Sequence, residues 1–203
     1  MAPTGRETEV KFYLQHPHAL PSRILDTGGR LHTPRTHEFN LRFDTAGTGL
    51  RGSGRVLRLR QDQRVHLTYK DNAEEVDGAL RRREIELVVD DFERAKELLR
   101  ALDYQIVFAY EKFRTIFEHG VAQVMLDELP YGHFVEIEGD RAALEPLADQ
   151  LGLSWPCAIP RSYHALFEHV IGARALAISD LTFGNFADLD IGPADLGVTP
   201  ADA

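Results

Sequence analysis

Much of the chain alternates strictly between apolar and polar side chains. In residues 7–13, Glu7, Glu9 and Lys11 fall on one side of this alternation, whereas Val10 and Phe12 fall on the other. Because successive side chains of a strand point to opposite faces of a sheet, this two-residue period predicts a β-strand with one charged and one apolar face. The same pattern predicts seven further strands, at residues 39–44, 55–60, 65–70, 82–89, 104–118, 121–126 and 134–139.

Four other segments have the spacing of an amphipathic helix. A short helix is predicted at residues 20–25. Asp90 is expected to cap a helix that runs to residue 102, because Glu93 completes a capping-box pattern. A third helix is predicted at residues 140–152, and apolar side chains recur at helical spacing in residues 163–171.

The charged strand faces decide how these elements assemble. Eight strands joined by tight turns favour a closed antiparallel barrel, which leaves no exposed sheet edge. If the charged faces were outside, the amphipathic helices would have no apolar surface to cover. We therefore predict an α+β fold: a closed eight-stranded antiparallel β-barrel with a charged lumen, covered outside by amphipathic helices. Buried charges must be paired or bound to ions. A lumen that contains both positive and negative side chains therefore predicts a ligand that carries both kinds of charge, such as a metal-chelated polyphosphate.

Charge is distributed unevenly along the 203 residues. The formal net charge is −9, but the segment after Arg174 contains five Asp residues and no Lys or Arg, so the remainder carries only about four negative charges. An acidic balance disfavours a nucleic-acid surface as the main function. We predict one domain at residues 1–172, followed by an acidic, loosely packed or disordered tail at residues 173–203.

No sequence feature predicts secretion or membrane insertion. The polar residues 1–6 lack the apolar core of a signal peptide, and no stretch of about 18 apolar residues is present to span a bilayer. The single cysteine, Cys157, excludes an internal disulfide framework. These observations predict a cytoplasmic protein with neither nucleic acid nor membrane as its partner.

The charged faces have simpler explanations at some positions. Glu84 and Glu86 could bind metal or substrate, or they could form salt bridges that position the arginines. Residues 81–83 are expected to form a solvated basic run, and His66 is either a lumen donor or an ordinary polar residue. Asp127 precedes a turn, where Asp is common for backbone reasons alone.

The order of the charged motifs resembles that of a known family. The motifs are Glu7-x-Glu9-x-Lys11, Arg58-x-Arg60, Lys70, Glu84-x-Glu86, Lys112-x-Arg114, and Asp127 followed by Gly132-x-Phe134-x-Glu136-x-Glu138. This succession resembles the CYTH domain of the triphosphate tunnel metalloenzymes, over about residues 6–172. That superfamily includes class IV adenylyl cyclases, thiamine triphosphatases and inorganic triphosphatases.

The resemblance implies roles for the residues that match these motifs. The implied Mg²⁺ or Mn²⁺ ligands are Glu7, Glu9, Asp127, Glu136 and Glu138. The implied phosphate-binding residues are Lys11, Arg58, Arg60, Lys70, Lys112 and Arg114, of which Lys70 and Arg114 are the expected catalytic residues. The expected partner is a small-molecule triphosphate, and a homodimer is a possible assembly.

Three functions remain open at this point. We favour a divalent-metal-dependent phosphohydrolase that acts on inorganic or organic triphosphate. The alternatives are a class IV adenylyl cyclase, which converts ATP to cyclic AMP and pyrophosphate, and a non-catalytic polyphosphate-binding module. One departure from the family pattern is Arg42, which stands where thiamine triphosphatases and many relatives have a tyrosine. In thiamine triphosphatases that tyrosine is thought to pair with the lysine that corresponds to Lys70, so the resemblance does not imply a thiamine-specific mechanism.

Overall fold

The computed structural model describes residues 6–203, and this part of the chain contains nine strands and six α-helices. The strands are β1 (Arg6–Leu14), β2 (Arg30–Thr45), β3 (Val56–Gln61), β4 (Val65–Lys70), β5 (Glu74–Val76), β6 (Ala79–Val89), β7 (Tyr104–His119), β8 (Ala122–Leu129) and β9 (Gly132–Glu138). The helices are α1 (Leu20–Asp26), α2 (Phe92–Ala101), α3 (Arg141–Gln150), α4 (Tyr163–Ala173), α5 (Phe183–Phe186) and α6 (Pro193–Leu196). The prediction about a signal peptide concerns residues 1–6, of which residues 1–5 lie outside the described part.

Eight of the strands form a closed antiparallel barrel, which confirms the predicted fold class. Neighbouring strands follow the order β1-β9-β8-β7-β2-β3-β4-β6, and pairing between β1 and β6 closes the ring. The short strand β5 adds to the edge of β6, in a segment that was expected to be a polar loop. In this ring β1 and β2 are four strands apart in either direction, so they form opposite walls of the barrel.

The strand register places the charged faces inside the barrel. Glu9 is paired with Glu138 and Lys11 with Glu136 across β1 and β9, and directly paired residues share a face of the sheet. The outward residues of β1, Val10 and Phe12, are 1 % and 0 % exposed because helices cover them. The barrel therefore has the inverted polarity that the alternation predicts.

Three helices cover much of the outer surface. Apolar side chains of α1 and α3 form one core with the outward residues of β1, β8 and β9, and Phe92 and Leu99 of α2 form another with β2, β3 and β4. Asp91, one residue later than expected, caps α2 by accepting a hydrogen bond from the Arg94 amide at 3.0 Å. The outer face of β6 is not covered in this way, because Ile85 and Leu87 are 41 % and 57 % exposed.

The helix α4 has a different position from the other amphipathic helices. Its residues Tyr163 and Phe167 pack in one cluster with Tyr13, Phe108 and Phe134, which lie on the lumen face of their strands. Because these aromatic residues come from the inner side of the barrel wall, α4 closes one end of the lumen rather than covering the outside.

The prediction of a loosely packed tail is wrong. Leu181, Phe186 and Leu196 are 0 %, 3 % and 0 % exposed, and they belong to the same apolar cluster as α4. The Leu181 amide donates to the Ala109 carbonyl of β7 at 3.0 Å, and the Ala201 amide donates to the Tyr13 carbonyl of β1 at 3.0 Å. Composition suggested disorder, but a few apolar side chains and the backbone groups of strand edges are enough to fix the segment.

None of the helices in the described residues has both the length and the apolar composition needed to span a membrane.

Candidate active site in the barrel lumen

The lumen contains a cavity of about 700 Å³, lined by all eight barrel strands and by the start of α4. Most of the predicted site residues belong to its wall: Glu7, Glu9, Lys11, Arg58, Arg60, Lys70, Lys112, Arg114, Glu136 and Glu138. The remaining one, Asp127, lies on the lumen face of β8, paired with Arg114 and Phe134, but it is 1 % exposed and does not line the cavity. The fold therefore brings residues from opposite ends of the sequence to one cavity.

Four carboxyl groups meet on the wall formed by β1, β9 and β6. Burial, Glu138 and Glu84 raise the pKa of Glu7 to about 8. Burial, Glu9 and Glu84 raise the pKa of Glu138 to about 7. Because burial and the neighbouring carboxylates disfavour ionisation, Glu7 and Glu138 retain their protons to a higher pH than an ordinary carboxyl group, and a bound cation would favour their ionised forms.

This cluster has the donor chemistry of a site for a hard divalent cation. Mg²⁺ and Mn²⁺ prefer carboxylate oxygens, and neither Glu7 nor Glu138 has a described Lys or Arg nitrogen within 4 Å. In residues 6–203, no group of three or more His, Cys, Asp or Glu side chains is already drawn together around a common point. The glutamates therefore fit a cation by type and charge, and they would have to turn toward it when it binds.

Asp127 is bonded to cations and a tyrosine. Arg114 donates two hydrogen bonds to its oxygens, at 2.6 and 2.5 Å. Lys112 donates to it at 3.1 Å, and the Tyr163 hydroxyl donates at 2.7 Å. Both oxygens of this buried carboxylate are therefore engaged by protein groups, and Asp127, which was predicted as a metal ligand, contacts Lys112, Arg114 and Tyr163 in this structure.

Glu136 is held in a similar way. Its carboxylate lies 3.0 Å from the Lys11 amine and also forms an ion pair with Arg114. Burial opposes ionisation, but Lys11 and Arg114 overcome it and hold the pKa of Glu136 well below its ordinary value. Lys11 also lies 4.3 Å from the centre of the Tyr163 ring. These contacts fix the direction of two lumen cations.

Arg58 and Arg60 project from β3 beside Glu86. The Glu86 carboxylate is 3.7 Å from Arg58, 3.6 Å from Arg60 and 2.9 Å from the His66 ring. Glu86 therefore forms the salt bridges that were one of its two predicted roles. His66 lies in the lumen wall between Glu86 and Asp62, so it is a lumen group.

Lys70 belongs to a second group of ion pairs. Its amine is 2.5 Å from Glu84, which also accepts a hydrogen bond from Arg82 at 3.0 Å. Arg82 in turn lies 3.2 Å from Glu9. Burial, Arg82 and Arg58 lower the pKa of Lys70. Lys70 is thus half-buried between the carboxylate cluster and the basic side of the lumen.

Sequence reasoning missed two lumen residues, Glu38 and Arg82. Glu38 is 4 % exposed and lies 3.5 Å from Lys112 and 4.0 Å from Arg114. Although burial opposes ionisation, Lys112 and Arg114 lower its pKa to about 2. The two-residue period would have revealed both positions, since Glu38 precedes Asn40 and Arg42 on the same face of β2. Arg82 likewise precedes Glu84, whereas it was expected to lie in a solvated run.

Comparison with known proteins identifies the family. Residues 5–163 match the family model of the CYTH domain. No match was found among curated proteins.

Solved structures share the fold at low sequence identity. A candidate adenylate cyclase from Vibrio parahaemolyticus is 24 % identical, with a TM-score of 0.71 and coverage of 80 % of this chain and 97 % of that one. A protein from Pyrococcus horikoshii is 23 % identical, with a TM-score of 0.67 and coverage of 77 % and 96 %.

A third structure comes from Hippeastrum and is described as a candidate adenylyl cyclase with a dominant triphosphatase activity. It is 18 % identical, with a TM-score of 0.62 and coverage of 80 % of this chain and 94 % of that one. At these identities the structures establish likeness of fold, while the family model covers most of the chain. The eight-stranded barrel with its charged lumen therefore belongs to a member of the CYTH domain family.

Proposed function

We propose that the protein is a divalent-metal-dependent triphosphatase whose substrate is inorganic triphosphate or an organic triphosphate bound in the lumen. The observation that carries this proposal is the separation of charge across the cavity. Glu7, Glu9 and Glu138 lie on one wall, and Arg58 and Arg60 lie on strand β3 near the opposite wall. A polyphosphate chelated by a cation fits this arrangement, because its metal end and its free anionic oxygens need opposite partners.

The metal is assigned to Glu7, Glu9 and Glu138, with Glu84 beside them. Mg²⁺ or Mn²⁺, when bound, would neutralise negative charge on the phosphoryl group that is transferred. Without it, the same carboxylates repel an anionic substrate. Glu136 faces the lumen next to this group but is already bonded to Lys11 and Arg114, so we assign it to positioning these cations.

We assign the binding of the phosphate oxygens to five cationic residues: Lys11, Arg58, Arg60, Lys112 and Arg114. Phosphoryl transfer depends mainly on alignment and on stabilisation of charge, and fixed guanidinium groups can bind two oxygens at once. Carboxylates behind these cations, such as Asp127 and Glu38, hold them in place before the substrate arrives. Lys70 lies between the two walls, where its amine can contact the phosphoryl group that is displaced.

In the proposed reaction, a water oxygen attacks the terminal phosphorus of the triphosphate. The bond between that phosphorus and its bridging oxygen breaks, and the bridging oxygen leaves as part of the diphosphate product. Orthophosphate is the second product. The reaction needs no group to hold a nucleoside in a fixed pose.

A class IV adenylyl cyclase is the second candidate, because it would use the same metal and the same triphosphate. It must also orient the ribose 3′-hydroxyl toward the α-phosphorus, and this requires contacts to the nucleoside. Phe108 and Tyr110 are aromatic residues of the cavity wall, yet they are only 2 % and 8 % exposed and pack on each other. Hydrolysis requires fewer contacts between protein and substrate than cyclisation does, so we favour the triphosphatase. The activity described for the Hippeastrum protein supports this preference by analogy.

Product analysis tests the proposal. The protein is incubated with Mn²⁺ and either tripolyphosphate or ATP, and the products are separated. We expect orthophosphate from tripolyphosphate and no cyclic product from ATP. Cyclic AMP and pyrophosphate from ATP would establish the cyclase, and tight binding without any product would establish a polyphosphate-binding module.

A further inference from the structure

Arg42 differs from the other buried or half-buried cations of the lumen. Lys11, Arg58, Arg60, Lys70, Arg82, Lys112 and Arg114 each lie within 4 Å of at least one carboxylate. Arg42 lines the same cavity and is half-buried, but in residues 6–203 its guanidinium has neither a carboxylate within 4 Å nor a hydrogen bond. A partly buried charge without a partner is costly, so this side chain is poised for an anion that the protein itself does not supply.

The position of Arg42 is opposite the carboxylate cluster. It lies on β2, which faces β1 across the barrel, and it is paired with Arg58 on β3 and with Phe108 on β7. A ligand whose metal-bound end lies at Glu7 and Glu9 would therefore extend past Arg58 toward Arg42.

The groups around Arg42 also favour an anion. Burial, Arg51 and Arg82 lower the pKa of Arg42, while Tyr110 and Glu168 act in the opposite direction without overcoming them. Burial, Arg42 and Arg51 lower the pKa of His164 to about 3. At neutral pH the His164 ring is thus uncharged, and its N–H remains able to donate a hydrogen bond.

A second polar group near Arg42 lacks a partner. Asn40 precedes Arg42 by two residues, on the same face of β2, and is 0 % exposed. Neither the nitrogen nor the oxygen of its side-chain amide has a hydrogen-bond partner in the described protein. Buried amides rarely remain unpaired, so the interior beside Arg42 contains polar groups that the described protein does not satisfy.

The aromatic residues at this end do not offer a surface for a nucleobase. Phe108 packs on His164, Phe167 and Tyr110, with ring centres 4.3, 5.0 and 5.6 Å apart. It is 2 % exposed. Because its faces are already covered, recognition at this end depends on charge rather than on stacking.

We propose that Arg42 binds the terminal phosphate of an inorganic triphosphate at the α4 end of the lumen, and that this contact makes the inorganic compound a better ligand than ATP. The inference rests on the proposed function and narrows its substrate class. Both ends of tripolyphosphate are phosphate groups with three non-bridging oxygens. In ATP one end is replaced by an α-phosphate that is esterified to ribose, which removes an anionic oxygen and adds a bulky group. A guanidinium group that forms two parallel hydrogen bonds to phosphate oxygens therefore binds the end of tripolyphosphate better than the esterified α-phosphate of ATP.

Binding and turnover of Arg42 variants test this inference. Dissociation constants for tripolyphosphate and for ATP are measured by calorimetry in EDTA, and kcat/KM for both is measured with Mn²⁺. Arg42→Gln removes the charge, Arg42→Lys retains it without the fork, and Arg94→Gln removes a charge from the exposed surface of α2, outside the lumen, that is paired with Asp91. We expect Arg42→Gln to weaken tripolyphosphate binding about 10- to 100-fold and ATP binding less than about 3-fold. Arg42→Lys should lose less affinity, and Arg94→Gln should bind both ligands as the wild type does.

The outcomes separate this inference from the proposed function. If the wild type binds and hydrolyses tripolyphosphate but Arg42→Gln affects the two ligands equally, or neither, the role of Arg42 is wrong and the proposed function stands. If the wild type neither binds nor hydrolyses any triphosphate, the proposed function fails. Circular dichroism and melting curves establish that each variant is folded, and Arg42→Lys provides the comparison if Arg42→Gln does not fold.

Discussion

The Tyr163 hydroxyl in α4 donates a 2.7 Å hydrogen bond to Asp127 in β8, and both residues are buried. Asp127 is also the carboxylate that holds Lys112 and Arg114. The helix at the end of the lumen is therefore connected, through one carboxylate, to two cations of the phosphate-binding wall. This connection supports our proposal that Asp127, which was predicted as a metal ligand, positions Lys112 and Arg114.

Tyr163→Phe should weaken phosphate binding as well as stability. The loss of one buried hydrogen bond is expected to lower the free energy of unfolding by about 1–3 kcal/mol. It should also raise the dissociation constant for tripolyphosphate several-fold, because Asp127 no longer holds Lys112 and Arg114 as firmly. Urea unfolding and calorimetry measure the two effects.

Tyr131→Phe is the matched control for this change. The Tyr131 hydroxyl donates a 2.9 Å hydrogen bond to the Tyr163 carbonyl in the same buried cluster, without contact to Asp127. We expect a similar loss of stability with unchanged affinity. Equal losses of affinity in both variants would mean that the cluster acts only through general stability.

Glu138→Gln should abolish stabilisation by a divalent cation. A ligand that binds only the folded state raises the melting temperature, and the increase grows with the logarithm of ligand concentration over dissociation constant, so Mg²⁺ or Mn²⁺ should stabilise the wild type. Removal of one carboxylate from the repelling group with Glu7 and Glu9 should remove this shift, while the metal-free variant melts no lower than the wild type. Thermal melts with and without Mn²⁺ measure the shift in melting temperature. Glu97→Gln, on the exposed face of α2, is the control.

The same melts test our assignment of Asp127. Asp127→Asn leaves Arg114 and Lys112 with a weakened partner, so a loss of about 3–5 kcal/mol in the free energy of unfolding is expected. The Mn²⁺-dependent shift should persist, because both oxygens of Asp127 are engaged away from the carboxylate cluster. Loss of that shift in a folded Asp127→Asn protein would restore Asp127 to the set of metal ligands.

His164 should make the protein less stable at mildly acidic pH. Its ring packs on Phe108 near Arg42 and Arg51, with Glu168 4.0 Å away, and its pKa is lowered to about 3 by burial and by the two arginines. The unfolded chain takes up a proton near pH 6.5, whereas the folded ring does so only near pH 3. The contribution to stability is therefore complete above pH 6.5 and is lost progressively as pH falls toward 3.

His164→Gln isolates this contribution. The free energy of unfolding is measured in urea at pH 5 and pH 7 for both proteins. We expect the decrease from pH 7 to pH 5 to be smaller in the variant, because glutamine does not titrate. An identical decrease in the two proteins would show that His164 is as readily protonated in the folded state as in the unfolded chain.

Strand alternation was sufficient to predict the barrel and the direction of its charged faces. A one-residue error of register would move every side chain of a strand to the other face, so the positions of Glu9, Lys11, Glu136 and Glu138 on the lumen side follow from a strong pattern. Most of the predicted site residues line the cavity for the same reason. The local pattern indicates on which face of the sheet a residue lies, and the face alone decides whether a barrel residue points into the lumen.

Partners inside the lumen could not be predicted in the same way. Alternation places both Glu138 and Asp127 on the lumen side of their strands. Only the three-dimensional structure shows that Glu138 has no described Lys or Arg nitrogen within 4 Å, whereas Asp127 binds two cations, Lys112 and Arg114. Likewise, the period of α4 reveals an apolar stripe without revealing that it meets lumen-facing Phe108 and Phe134. These outcomes depend on contacts between residues that are distant in the sequence.

The final prediction concerns the segment that composition suggested would be loose. Leu181→Ala should lower the free energy of unfolding by about 2–5 kcal/mol, because Leu181 is 0 % exposed and its removal leaves a cavity beside α4 and β7. Leu98→Ala makes the same chemical change at a residue that is 60 % exposed on α2, so it should change stability by less than about 0.5 kcal/mol. Urea unfolding compares the two.

Truncation after residue 173 extends this prediction. The backbone amide of Leu181 donates a hydrogen bond to β7, and its carbonyl accepts one from β7. Truncation should therefore lower the free energy of unfolding by more than Leu181→Ala does, and it should leave part of β7 as an unpaired edge that promotes association. If Leu181→Ala is as stable as Leu98→Ala, and the truncated chain melts like the full-length protein, the segment after α4 contributes nothing to the stability of the barrel.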